Sequence, residues 1–94
     1  MKPLHIHLVD DHSLFREGLK FLLSNCDFIS QIEESENGEI FLQKIKKNIP
    51  DVVLMDIEMP VVDGITASKT AMEMYPDLKI IALSARCEAI GKHT

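Results

Sequence analysis

The feature that most constrains this chain is a short apolar run that leads into a carboxylate and is followed by a proline. Residues 52–55 are Val, Val, Leu and Met, Asp56 comes next, and Pro60 follows shortly afterwards. Such a run predicts a strand that is buried on both faces of a parallel sheet, and Pro60 cannot extend it. Asp56 is therefore expected at the carboxyl end of a central strand, where ligands bind in open α/β sheets. Taken alone, this aspartate fits a helix cap as well as a functional site.

The remaining sequence alternates predicted strands with predicted helices, which indicates an α/β fold with a parallel sheet and right-handed crossovers. The strands are predicted at residues 4–9, 29–35, 52–56 and 78–83, and the helices at 13–25, 39–47 and from about 64 to 74. Low apolar content favours an edge position for the second strand. Helical spacing predicts the inward faces of the first two helices: Leu14, Phe15, Gly18, Leu19, Leu22 and Leu23, and then Ile40, Phe41 and Ile45.

Polar residues follow three of the predicted strands. Asp10 and Asp11 come after the first, Asp56 ends the third, and Ser84 follows the fourth. Because the carboxyl ends of parallel strands share one edge of a sheet, these side chains are expected to converge. Carboxylates held this close repel one another unless a cation lies between them. Hard oxygen ligands of this kind suit Mg²⁺.

A cation bound by carboxylates can offset the charge of a phosphoryl group, and a neighbouring carboxylate can act as the nucleophile. Ser84 could donate a hydrogen bond to that phosphoryl group, or it could cap the next helix. The three histidines near the first strand are His5, His7 and His12. Their spacing along a strand is not typical of a metal site, so they are predicted to be structural or solvated.

Composition argues against several other classes of protein. The 94 residues suffice for one domain with a modest core, and the net charge of -5 argues against a bare nucleic-acid-binding surface. No apolar run approaches the roughly 18 residues needed to span a membrane, and the start of the chain is not typical of a signal peptide. Cys26 and Cys87 have no metal-type spacing and are predicted to be reduced thiols, which favours a cytoplasmic location.

Three motifs together resemble the receiver (CheY-like) domain of two-component response regulators, over residues from about 4 to 85. They are VDDH at 9–12, DIEMP at 56–60 with DG at 63–64, and LSA at 83–85. The segment DHSLFREGL at 11–19 further resembles the NarL/FixJ branch, whose members usually carry a DNA-binding output domain. The resemblance implies a signalling domain that assists its own phosphorylation and dephosphorylation and is not otherwise an enzyme.

The resemblance also implies a role for each motif residue. Asp56 matches the phosphoacceptor, which takes a phosphoryl group from a sensor histidine kinase. Asp11 matches the direct Mg²⁺ ligand, and Asp10 matches the acid that holds a metal-bound water. Glu58 matches the position whose backbone carbonyl binds the metal. Ser84 matches the hydroxyl that turns toward the phosphate.

The sequence departs from the family pattern after Ala85. Family members continue into a fifth strand, which ends in a lysine that pairs with the phosphate, and a fifth helix. Residues 86–94 are an atypical tail, and Lys92 does not fit that lysine. The sequence therefore predicts one receiver-like domain over 1–94, a doubly wound flavodoxin/CheY-like sheet without its fifth strand and helix. It predicts no output domain, and hence no direct DNA binding by this chain.

Three further points concern the assembly of the chain and the alternatives to a phosphoacceptor role. An unfinished sheet would leave an open edge and apolar surface, so self-association by dimerisation or domain exchange is expected, with residues 78–94 at or near the contact. A receiver remnant that acts as a phosphorylation-independent interaction module is an alternative. A phosphohydrolase of the haloacid dehalogenase type is disfavoured, because that family needs an aspartate where Glu58 stands.

Overall fold

The computed structural model describes residues 3–57 and 64–83. Strands and helices alternate along this part of the chain: β1 (Leu4–Val9), α1 (Ser13–Ser24), β2 (Ile29–Ser35), α2 (Gly38–Ile45), β3 (Val52–Asp56), α3 (Gly64–Met74) and β4 (Lys79–Leu83). The predicted order of elements is confirmed. Helix α2 begins one residue earlier than predicted because Asn37 caps it, accepting a hydrogen bond from the Ile40 amide at 2.8 Å.

The strands form one parallel sheet in the order β2-β1-β3-β4. The parallel pairing confirms what the alternation predicts, the doubly wound flavodoxin/CheY-like order is the one that the resemblance implies, and β2 lies at an edge as expected. Strand β1 pairs on both sides, with Val9 opposite Ser35 of β2 and opposite Met55 of β3. The carboxyl ends of β1 and β3 therefore lie side by side in the middle of the sheet.

One face of the sheet carries a closed apolar core beneath α2 and α3. Its members are Val9, Phe41, Ile45, Val53, Met55, Ala67, Ala71 and Leu78. The predicted inward positions Phe41 and Ile45 are both fully buried. Ala67 and Ala71, one helical turn apart on α3, bring that helix close to the sheet because their side chains are small. Burying a large apolar side chain in this way contributes about 1.5–3 kcal/mol.

The opposite face carries α1 and is covered much less completely. No residue of α1 is buried, and Leu14 and Leu22 are 82% and 64% exposed. The predicted inward positions Leu14, Gly18 and Leu22 are therefore wrong, and only Phe15, Leu19 and Leu23 are half-buried. The reason is that α1 lies against the edge strand β2, so only a narrow strip of the helix meets the sheet.

Strand β3 shows the same asymmetry. Val53 and Met55 are fully buried toward α2 and α3, whereas Val52 and Leu54 are only partly buried. The prediction of a strand buried on both faces is therefore wrong for one face, within the described residues.

Residues 84–94, including the predicted tail, lie outside the described part of the chain. No helix in the described ranges is long and apolar enough to cross a membrane.

Candidate metal centre

The carboxyl ends of β1 and β3 bring together Asp10, Asp11, His12 and Asp56. Each offers one possible ligand atom, and these atoms all lie within 4.8 Å of one another. The three carboxylates predicted to converge are therefore adjacent. Two other predicted site residues, Glu58 and Ser84, lie outside the described residues.

Strand pairing explains why these residues meet although they are far apart in sequence. The parallel register sets Val9 opposite Met55, so the residue after each of them emerges at the same edge of the sheet. Those next residues are Asp10 and Asp56. The end of β3 is in turn held against β4, since the amide of Ile57 donates to the carbonyl oxygen of Leu83 at 3.0 Å.

Asp10 is the most constrained carboxylate of the cluster. It is 2% exposed, and its Oδ1 accepts a hydrogen bond from the backbone amide of His12 at 2.7 Å. Its other oxygen, Oδ2, is buried and has no hydrogen-bond partner among the described residues. A buried carboxylate oxygen without a partner is costly, which indicates that a further group belongs beside it.

The other two carboxylates differ in their access to water. Asp56 is 1% exposed, whereas the Asp11 side chain is 29% exposed. The cluster is therefore shielded from water at Asp56 and open to it at Asp11.

His12, which was predicted to be structural or solvated rather than a metal ligand, also lies in this cluster. Its Nδ1 lies 3.2 Å from Asp10 Oδ1, 3.0 Å from Asp11 Oδ1 and 3.8 Å from Asp56 Oδ2. Its position in the sequence, directly after the paired aspartates, was the available signal. The other two histidines are elsewhere in the sheet, where His5 Nε2 lies 2.7 Å from Glu33 Oε1 and His7 Nε2 lies 2.7 Å from Ser35 Oγ.

A polar network ties the end of β1 to α1 and β2. Arg16 donates from Nη1 to the backbone carbonyl of Asp10 and from Nε to Glu34 Oε1, the latter at 2.8 Å. Lys20 donates to Glu34 Oε2 at 2.6 Å. The hydrogen bond from Lys20, reinforced by Arg16, lowers the pKa of Glu34 even though partial burial acts in the opposite direction. Arg16 therefore holds the Asp10 backbone against the edge strand.

Gly64, the first residue of α3, contacts the backbone of β3 at the site. A methyl group on Gly64 would overlap with the carbonyl oxygen of Asp56 and would approach Ile57 Cα to 2.5 Å. Only glycine therefore allows α3 to begin this close to Asp56. The predicted helix cap at Asp63 lies outside the described residues.

Comparisons with known proteins identify the fold and the family. The sequence pattern of the response regulator receiver domain matches residues 6–92. The transcriptional regulatory protein DegU of Brevibacillus brevis is 41% identical over 81 residues, which are 86% of this chain and 34% of DegU. The chain thus spans about a third of the length of that relative.

Two solved structures agree with this assignment. The receiver domain of NarL from Mycobacterium tuberculosis has a TM-score of 0.79 and 32% identity, over 92% of this chain and 69% of that one. The response regulator TrrA of Thermotoga maritima, solved in complex with Mg²⁺ and BeF, has a TM-score of 0.82 and 35% identity, over 97% of this chain and 76% of that one. The chain, with NarL-type relatives and a CheY-like fold, belongs to the family of response regulator receiver domains of two-component systems.

Proposed function

We propose that this receiver domain accepts a phosphoryl group on Asp56 from the phosphohistidine of a sensor histidine kinase, in a reaction that requires Mg²⁺. One observation carries the proposal: Asp56 is buried at the end of a central strand, with ligand atoms of Asp10 and Asp11 within 4.8 Å. Family membership supports the general role, and the cluster supports the particular residues.

The residues present fit a divalent cation. Asp10 Oδ2 is a buried carboxylate oxygen without a hydrogen-bond partner in the described part of the chain, and only hard oxygen ligands surround it apart from His12. Asp11, Asp56 and a water held by Asp10 would bind the ion, together with the backbone carbonyl of Glu58 that the resemblance implies. A bound Mg²⁺ supplies charge neutralisation for the phosphoryl oxygens. TrrA, whose structure contains Mg²⁺ and BeF, is consistent with this fit.

The transfer step needs little from the protein beyond position. A carboxylate oxygen of Asp56 attacks phosphorus, a P–O bond forms, and the P–N bond to the donor imidazole breaks. The leaving nitrogen keeps the bonding electron pair, and the imidazole is neutral once this nitrogen carries a proton. Burial of Asp56 restricts the motion of its carboxylate, and the hydroxyl of Ser84 is proposed to bind a phosphoryl oxygen of the product.

The partner assignments follow from the same role. The chain is proposed to be a single receiver domain over 1–94 that meets a sensor histidine kinase and does not contact DNA itself. DegU is a transcriptional regulatory protein, and this chain covers 34% of its length. Transcriptional output is therefore a property that we assign to a response regulator as a whole rather than to the residues in this sequence.

Intact mass spectrometry after incubation with acetyl phosphate tests the proposal. We expect a mass gain of one phosphoryl group that requires Mg²⁺ and is lost in Asp56→Asn. The matched control is Asp27→Asn, which changes an exposed aspartate in the turn between α1 and β2, at the opposite edge of the sheet. Equal labelling of wild type and Asp56→Asn contradicts the assignment. No labelling of a folded wild type with bound Mg²⁺ would favour the phosphorylation-independent interaction module instead.

A further inference from the structure

We propose that His12 is an additional ligand of the metal centre, and that it shifts the preference of the site from Mg²⁺ toward first-row transition-metal dications such as Mn²⁺ and Co²⁺. This inference rests on the metal site of the proposed function and extends it to the identity of the ion. His12 would add one nitrogen ligand to a site whose other side-chain ligands are carboxylate oxygens.

The spacing of His12 from the carboxylates is the first observation. Its Nδ1 lies 3.0–3.8 Å from one oxygen of each of the three aspartates. Ligand atoms about 2.1 Å from one cation, with angles of about 90–120° between them, are separated by about 3.0–3.7 Å. The imidazole nitrogen thus stands at ligand spacing from Asp10 and Asp11 and just beyond it from Asp56. It makes a hydrogen bond with Asp10 Oδ1 at 3.2 Å, whereas its 3.8 Å separation from Asp56 Oδ2 exceeds hydrogen-bond range.

The second observation is the unpartnered oxygen of Asp10. Asp10 is 2% exposed, and its Oδ1 is engaged by the backbone amide of His12, while its Oδ2 has no hydrogen-bond partner among the described residues. A cation bound among the carboxylates would satisfy this oxygen. The same amide hydrogen bond fixes the turn after β1, so the His12 ring is positioned beside the carboxylates by the backbone itself.

The place of His12 in α1 is the third observation. It occupies the N-cap position in an extended conformation, with φ of -92° and ψ of 99°, but its side chain makes no capping hydrogen bond. Ser, Thr, Asp and Asn usually hold this position because they cap the helix amides. Here the imidazole turns to the carboxylates instead. Because the side chain is 47% exposed, the ring can adjust to an ion without disturbing the core.

Donor chemistry gives the direction of the preference. Mg²⁺ takes oxygen ligands and gives up its waters reluctantly, whereas imidazole is a good ligand for the later dications. Affinity for a site of mixed N and O donors rises from Mn²⁺ through Co²⁺. A nitrogen ligand therefore strengthens Co²⁺ binding more than Mg²⁺ binding.

Calorimetric titration of the full chain with Mg²⁺ and, separately, with Co²⁺ tests the preference. We expect His12→Ala to lower the ratio of Co²⁺ to Mg²⁺ affinity by about tenfold or more, on the scale typical of disturbed metal sites. Asp11→Asn should weaken both ions. His12→Asn serves as a second variant that keeps a polar side chain at the N-cap, and a cooperative thermal melt checks that each variant is folded.

Electron spin-echo envelope modulation with bound Mn²⁺ gives an independent readout. The wild type should show coupling of Mn²⁺ to a ¹⁴N nucleus of imidazole, and His12→Ala should lack it. Wild-type spectra without this coupling would overturn the inference. So would an unchanged affinity ratio, or a gain of affinity for both ions in His12→Ala, which would mean that the ring competes with the ion.

The outcomes separate this inference from the proposed function. If Mg²⁺ binds and Asp56 is labelled but His12→Ala has no effect on selectivity, only the role of His12 is refuted. If a folded wild type binds neither ion, the metal site fails and the inference fails with it.

Discussion

The two faces of the sheet differ in how completely helices cover them. Beneath α2 and α3, Phe41, Ile45 and Met55 are fully buried, whereas on the side of α1 Leu14 is 82% exposed and Phe21 is 69% exposed. Ile81 of β4 follows Ile80, which packs against the core, so it points to the side of α1 and is 51% exposed. Ile6 and Leu8 of β1, which alternate with Val9 of the core, are buried on the side of α1, so that side has apolar packing too, but it also leaves large apolar side chains exposed.

The attachment of the helices differs as well. The core face is held by apolar packing, whereas α1 combines the half-buried Phe15, Leu19 and Leu23 with two ion pairs, in which Arg16 and Lys20 both donate to Glu34 of β2. Exposed ion pairs usually contribute less than about 1 kcal/mol each. Similar helical spacing of apolar residues thus leads to different burial, according to which strands lie beneath the helix.

The largest expected effect compares two phenylalanines, one on each face. Phe41→Ala removes a fully buried ring and should lower the free energy of unfolding by about 3–5 kcal/mol. Phe21→Ala removes a ring that is 69% exposed and should change it by less than about 0.5 kcal/mol. Urea denaturation of both variants measures the difference. Equal losses would mean that the side of α1 is as tightly packed as the core.

The second prediction concerns how stability depends on pH. His7 is a fully buried histidine on the core face. Its ring meets the ring of Phe41 edge-on, with 5.2 Å between the ring centroids. Desolvation by burial, followed by the nearby Lys44 and His5, lowers the pKa of His7 from 6.5 to about 4. The unfolded chain therefore binds this proton more readily than the folded chain. The free energy of unfolding therefore keeps its full value above about pH 6.5, where His7 is neutral in both states, and decreases as the pH falls toward 4.

The expected size of that loss is about 3 kcal/mol in the free energy of unfolding. His7→Leu removes the titrating group, so its stability should fall less steeply than that of the wild type between these pH values. Urea melts at several pH values measure both curves. If the free energy of unfolding fell equally steeply with pH in both proteins, the burial of His7 would not be the cause of the pH dependence.

Two glycines provide the next contrast. Gly64→Ala forces a methyl group against the Asp56 backbone, and overpacking of this kind costs about 1–3 kcal/mol. A methyl group on Gly18, within α1, would meet no other atom within 4 Å, so Gly18→Ala should stabilise the protein by about 0.5–1 kcal/mol. Thermal melts should move in opposite directions. A rise in Tm for Gly64→Ala would show that α3 can shift away from β3.

The smallest effect concerns self-association, which stays a prediction with residues 78–94 at or near the contact, and to which we add the exposed side of α1 as further apolar surface. Phe21→Ser should weaken association by about 1–2 kcal/mol, or roughly tenfold in Kd, because an exposed ring no longer contributes apolar area to the contact. Lys69→Ser, which changes a polar residue of α3 on the other side of the sheet, is the control. Sedimentation velocity over a range of concentrations measures both. A wild type that is monomeric throughout would contradict the proposal.

The sequence predicted the order of elements and the convergence of Asp10, Asp11 and Asp56. Both follow from general physics, because an apolar run between turn residues predicts a strand, and the ends of parallel strands meet at one edge. The burial of α1 was predicted wrongly because periodicity indicates which side of a helix is apolar and not how much sheet lies under it. His12 was predicted to be structural or solvated, and its place beside the carboxylates depends on the backbone turn after β1, which residue types do not specify.

The pairing of β1 with β3 has a consequence for how the chain reaches this structure. The backbone amide of His5 donates to Asp51 at 2.8 Å across 46 residues of sequence, so no local hairpin can bring these strands together. Closing a loop of that length costs conformational entropy before any contact repays it, and folds rich in such contacts form slowly. During synthesis Asp10 and Asp11 emerge well before Asp56. The carboxylate cluster therefore comes together only after β3 docks beside β1, so the proposed cation binding would report a late folding event.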